Sequence, residues 1–319
     1  MQHRISILVQ PGWRTFVRFA APVLFAILLE ASLVPVFAQQ PGQRTFASPE
    51  QAGYALFAAS QSDNDHALMN ILGPAGEDVI SSGDPEEDMD ARAGFIVKYQ
   101  EMHRFVTEPD GKVTLVIGAE NWPVPIPLVN NHGVWYFDTP TGKDEILFRR
   151  IGRNEFAAID ACGELVKAEK QYFANAPADT TKQFAQKLVS DQGQHNGLYS
   201  EGPSNESDSP INFLVAYAHE ESLKNQAGDQ APFNGYFFRV LTSQGRHAPG
   251  GAKNYVVDGK MTGGFAFVAY PAEYRSSGVM TFIVNKSGII YERDLGPDTT
   301  KTAEAMSAYD PDSTWSKVE

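Results

Sequence analysis

The chain has 319 residues, a net charge of −13 and a composition of 42% hydrophobic, 11% aromatic and 20% charged residues. That is the composition of a folded chain, and at about 150 residues per domain its length predicts two folded parts. The acidic balance is a poor match to nucleic acid or an anionic membrane, which need clustered Lys and Arg, and a single cysteine excludes an internal disulfide.

The first 38 residues stand apart. Arg4, Arg14 and Arg18 precede the apolar run "FAAPVLFAILL" (Phe19 to Leu29), and Glu30, Pro35 and Val36-Phe37-Ala38 follow it. Basic, apolar and small-residue regions in that order predict a secretory signal peptide with cleavage after Ala38, and hence a periplasmic or secreted protein. The competing reading is an uncleaved anchor, because Phe19 to Ala38 approaches the length of a bilayer span; Glu30 and Pro35 weigh against it. Cleavage removes three Arg and one Glu, which takes the charge from −13 to −15. No later stretch is long and apolar enough to span a bilayer, so no membrane contact is expected after cleavage.

The mature chain opens with helical text. Ser48 with Pro49 and Gln51 forms a capping-box pattern, Asp63-Asn64-Asp65 starts a second helix, and Gly73-Pro74 ends it. "DPEEDMDARAGFIVKYQEMHRF" predicts a third helix reaching Phe105, with acids at its start and Lys98, His103 and Arg104 late in it. After Pro109-Asp110-Gly111 the period becomes two, and "KVTLVIG", "VPIPLV" and "GVWYFDT" predict three strands, with Pro123, Pro125 and Pro127 keeping the middle one near an edge. This order resembles NTF2-like or cystatin-like domains. A long helix, with Gly152 as a site for a kink, then runs from Gly142 to Asn175.

Asp191 to Pro210 reads as a polar surface loop, and "INFLVAYAHEESLKNQ" as a short helix. Beyond it "GYFFRVLT", "NYVVDGK", "GGFAFVAYP", "VMTFIVN" and "IIYERDL" predict an antiparallel meander, with hairpin turns at "VDGK" and "NKSG". The tail predicts one more helix and a docked end anchored by Trp315. The organisation is therefore α+β: a signal peptide at 1–38, an N-terminal α+β domain at 44–140, a linking helix at 141–175 and a C-terminal α+β domain at 176–319.

Several of these words are shared with a known group. "RRIGRNEFAAIDAC", "NGYFFRVLTSQG", the long segment from Ala248 to Thr299 and the closing "AYDPDSTWSKV" resemble an uncharacterised family of exported Gram-negative bacterial proteins, domain of unknown function 2950. The resemblance spans nearly the whole mature chain, departs from the family pattern at His195 and Ser200, and implies export without implying an activity. The helix with "NEFAAIDACGELVKAEKQYFA" followed by strands is also similar to the heads of type IV pilins and pseudopilins. Here that helix lies mid-chain behind polar "GKDE", so assembly by the pilin route is not implied.

Motifs for chemistry are few. Cys162 falls on an apolar stripe with Phe156, Ile159, Val166 and Phe173 and has Asp160 and Glu164 as neighbours, which suits packing better than a nucleophile. "HEES" at His219 lacks the second histidine of a zinc helix, and the acidic run Asp84 to Asp90 lacks the turn glycine and terminal glutamate of a calcium loop. Nucleophile-elbow and phosphate-loop patterns are absent. No catalytic residue, no metal and no cofactor is therefore assigned.

The text around "APGGAKNYVVDGKMTGG" is glycine-rich and suits tight hairpins or a ligand groove. The candidate binding residues are Tyr236, Phe237, His247, Gly250, Gly251, Tyr255 and Tyr270, lining a cleft for a small ligand or another envelope protein. Two alternatives stand beside this non-catalytic binding module. One is a hydrolase, for which His247, Asp258, Glu273 and Arg275 would converge on a pocket; the other is a self-associating structural envelope protein.

Overall fold

A computed structural model describes residues 39–81, 85–177, 181–191, 194, 196–199 and 232–319, with the backbone alone at 85–87. The expected signal segment, most of the polar loop with His195 and Ser200, and the short helix with its "HEES" motif lie outside the described residues.

The fold is α+β. Helix α1 (Pro49–Gln61) is capped by Ser48, whose Oγ accepts from the Gln51 N–H at 3.3 Å, while the Gln51 side chain accepts from the Ala47 N–H one residue before the cap. Asn64 caps α2 (Asp65–Leu72) through the Ala67 N–H at 2.9 Å, and Gly73 ends it with a positive φ that glycine adopts without strain. A short turn at Pro74–Gly76 leads to α3 (Glu77–Ile80), and α4 spans Pro85–Glu101.

Here the structure corrects one expectation. The third helix ends at Glu101, and His103–Thr107, expected in part to be helical, forms strand β1 along β2 (Val113–Ile117), with Phe105 opposite Leu115. Pairing satisfies the backbone there, and Phe105 packs against Gly53 of α1. Strands β3 (Trp122–Pro123), β4 (Leu128–Asn131) and β5 (Val134–Phe137) complete an antiparallel sheet in the order β1-β2-β4-β5, with β3 on the end of β2. Pro125 and Pro127 fall between β3 and β4, so the expected middle strand shrinks to its C-terminal end.

Asp138 caps α5 (Thr139–Asn175), with Pro140 in its first turn. The helix is continuous through Gly152 and, at 1.5 Å per residue, is about 55 Å long. Its buried stripe runs Ala158, Cys162, Leu165 and Glu169. Phe156, expected on that stripe, is 73% exposed, because it lies about 200° around the helix from Ala158.

In the C-terminal part, β6 (Lys187–Val189) and β7 (Gly197–Tyr199) form a parallel pair. The edge strand β8 (Tyr236–Leu241) is followed by β9 (Ser243–Gln244), β10 (Lys253–Asn254) and the hairpin of β11 (Val256–Val257) with β12 (Lys260–Met261). Asp258 and Gly259 both have positive φ in that hairpin, the geometry of a tight two-residue turn. Strands β13 (Ala266–Pro271), β14 (Met280–Asn285) and β15 (Ile290–Asp294), helix α6 (Thr299–Ala305), β16 (Ala308–Tyr309) and β17 (Ser316–Lys317) follow.

The main sheet has the order β17-β15-β14-β13-β8 and is antiparallel throughout. Every residue of β13 is buried, on both faces of the sheet, and α5, α6 and β16 supply its covering. The large hydrophobic cluster here joins α5 to this sheet, and Trp315 packs against it half-buried. Around α1, α2 and the first sheet the interior forms two smaller clusters, one about Leu56, Leu68 and Phe137 and one about Tyr99, Leu115 and Ile117. Among the described residues no helix is long and apolar enough to cross a membrane.

Candidate functional site

The candidate residues near the glycine-rich loop are mostly tied into structure. Tyr236 is fully buried; its hydroxyl donates to the Met280 carbonyl at 2.8 Å, and burial raises its pKa. Its ring fills the space beside Gly278, where a Cβ would lie 2.2 Å from the hydroxyl oxygen, so only glycine fits there. Tyr255 is also buried, its pKa pushed up to about 12 by desolvation, and its hydroxyl donates to Gln244 Oε1 at 3.0 Å. Gln244 Nε2 in turn donates to the carbonyls of Pro249 and Gly251, at 2.9 and 2.6 Å. Gly250 and Gly251 both have positive φ, so this buried amide holds the loop in a shape that glycine adopts without strain. Tyr270 is 4% exposed and faces half-buried Phe237 with ring centroids 5.7 Å apart.

His247 is exposed at the same loop. Asp310 accepts from its backbone N–H at 2.8 Å and contacts its Nδ1 at 3.0 Å, while Arg246 Nε donates to its Nε2 at 3.1 Å. Both ring nitrogens are thereby engaged. Asp258 sits in the β11–β12 turn, and Glu273 and Arg275 in the turn before β14. The structure therefore assigns these four groups to three separate turns, and none lines the cleft beside α6 or the cleft in the N-terminal part.

Sequence reasoning missed a clamp from α5. Asn154 Nδ2 donates to the Ser277 carbonyl at 2.8 Å, and Glu155 Oε1 accepts from the N–H groups of Val279 and Met280 at 2.9 and 3.0 Å. These contacts account for the Asn154-Glu155 pair in structural terms: two polar side chains fix the start of β14. The only signal was a polar pair interrupting the helix pattern. Cys162 lies about two turns further on, fully buried, with its thiol pushed up to about 12 by desolvation, as packing requires. Glu169 is buried too: its Oε2 accepts from the Ala185 N–H at 2.9 Å, its Oε1 has no partner, and burial raises its pKa to about 8.

Among the described residues a site-like space lies elsewhere, in the N-terminal part. A cleft of about 430 Å³ opens between α1, α2, α4 and the β2–β3 end of the first sheet, with Ile146 of α5 at its side. Leu56, Leu68, Ile117 and Ile126 form an apolar base, and Phe95 and Trp122 add aromatic surface. Trp122 is 41% exposed and carries Arg149 over its ring at 5.3 Å from the centroid; Arg149 also donates to the Pro123 carbonyl at 2.7 Å. This volume and apolar character are those of small-molecule sites. The polar lining is already paired: Arg92 donates to Asp63, Asp65 and the Ile80 carbonyl, Lys98 to Glu120 at 3.0 Å, and the Ser60 hydroxyl to the Leu56 carbonyl. None of these lining residues belongs to the candidate set around the glycine loop.

Among the described residues no group of three or more His, Cys, Asp and Glu side chains is placed to hold a metal ion. No curated protein and no solved structure matches the chain. A family match covers residues 43–318, nearly all of the sequence beyond the N-terminal segment and every element described above. The chain belongs to the family described as "Protein of unknown function (DUF2950)".

Proposed function

We propose that this chain is an exported, non-catalytic binding protein and that the cleft between α1, α2, α4 and the first sheet holds its ligand, a small and largely apolar molecule. The observation that carries this reading is the cleft itself: about 430 Å³ lined by apolar and aromatic side chains, with its polar groups already paired. Export rests on the basic, apolar and small-residue order of the first 38 residues, and the acidic surface suits a neutral or basic partner in the envelope. The order of a long helix followed by an antiparallel sheet, as in pilin heads, is in keeping with an envelope location.

The test uses the chain as secreted by an expressing bacterium. An environment-sensitive apolar dye should bind saturably at one site, with a change in tryptophan emission. Ile146→Trp, which fills the side of the cleft from a half-buried position, should abolish that binding while the far-UV spectrum stays unchanged. Equal affinity in the filled variant would overturn the reading.

A further inference from the structure

The charge around the cleft selects among apolar ligands. Arg92 and Lys98 bring positive charge to the lining, but neither is open to an incoming anion. Arg92 is 18% exposed in its side chain and engages two carboxylates and a backbone carbonyl; Lys98 engages Glu120. Asp88 lines the same cleft, so the carboxylates Asp63, Asp65, Asp88 and Glu120 outnumber the cations Arg92, Lys98 and the Arg149 that stacks on Trp122. Asp63, Asp65 and Glu120 do not line the cleft themselves; they are well exposed and adjoin it through their pairs with Arg92 and Lys98. Trp122 adds an indole ring there that already carries one cation, the Arg149 guanidinium, over its face, so the carboxylates set the sign of the preference.

We infer that the ligand is a free cationic amphiphile, with an apolar tail in the base of the cleft and an amine or quaternary ammonium head at the rim near Asp88 and the carboxylates that pair with Arg92. The inference rests on the cleft being the binding site and adds to it the sign of the ligand's charge. A carboxylate-headed amphiphile of the same tail meets the same apolar base but a repelling rim. The effect is that of exposed charges in high dielectric, so it is moderate and weakens with salt.

The experiment compares three probes of equal tail, each below its micellar concentration: decyltrimethylammonium, decyl glucoside and decanoate, titrated calorimetrically into the secreted chain. The expected order is cation, then neutral, then anion, with about tenfold between the two ends at low ionic strength and a smaller ratio in high salt. In the double variant Asp63→Asn, Asp65→Asn the Arg92 guanidinium is released, and the preference should narrow or invert. Decanoate binding as tightly as decyltrimethylammonium, or a preference insensitive to salt, would overturn the inference and leave the cleft as a site for apolar ligands. Failure of all three probes to bind would overturn the cleft reading as well. If the double variant does not fold, the salt series on the unaltered chain decides.

Discussion

The two sheets of this protein solve the same problem differently. The C-terminal sheet is covered on both faces: β13 is buried at every position, Phe267 included, and its neighbour β14 carries Phe282, Ile283 and Val284 into one continuous cluster with α5. The N-terminal sheet is short, its hydrophobic interior is split into two small clusters, and an open cleft lies between its β2–β3 end and the helices. Sealing both faces gives a rigid platform, and leaving one end open leaves room for a ligand. Stability and function are thus expected to separate along the chain.

Core deletions should show that separation most strongly. Phe282→Ala, in the sealed sheet, is expected to cost about 3–5 kcal/mol in denaturant unfolding, whereas Leu68→Ala, beside the cleft, should cost about 2 kcal/mol because it enlarges an existing opening and creates no closed void. Equal losses would erase the contrast. The next effect is in pH. Glu169 keeps its proton in the folded state up to about pH 8, while the unfolded chain releases it near the ordinary carboxylate value, so the folded state binds more protons between those limits. Stability should therefore fall as pH rises across that window, by about 1.4 kcal/mol per unit where the difference is complete, and level off above it. In Glu169→Gln that slope should vanish in melts recorded from pH 5 to 9.

Smaller effects sharpen the comparison. Glu155→Ala leaves the Val279 and Met280 N–H groups without their acceptor and should cost about 1–3 kcal/mol, with Glu155→Gln recovering part of it, as read by chemical unfolding. At the cleft, Trp122→Ala should change stability by no more than about 0.5 kcal/mol, since the ring is partly exposed, yet weaken binding of the decyl probes in the same calorimetric titration by removing aromatic lining.

What could be read from sequence divides by range. The caps at Ser48 and Asn64 and the turns at Asp258-Gly259 and Asn285-Lys286-Ser287-Gly288 were legible because each is made by adjacent residues. The end of α4 was not, because β1 exists by virtue of its partner β2. The α5 clamp was equally hidden, since Asn154 and Ser277 lie 123 positions apart. The cleft could not be read at all: its apolar lining uses residues that pattern analysis assigns to the core, and only the arrangement of α1, α2, α4 and the first sheet leaves them a free face. Around Gln244 the sequence is unusually rich in glycines and aromatics. In the fold that composition builds a hairpin loop held by one buried amide.

The single thiol gives the molecule an internal clock. Cys162 is wholly enclosed by the α5–sheet packing, and its deprotonation is disfavoured by the same enclosure, so a thiol reagent meets it only in molecules whose C-terminal interior has opened. No second cysteine competes for the label. The labelling rate under native conditions therefore counts openings of that interior, one molecule at a time, and a ligand that occupied the cleft without slowing it would show that the two halves breathe independently.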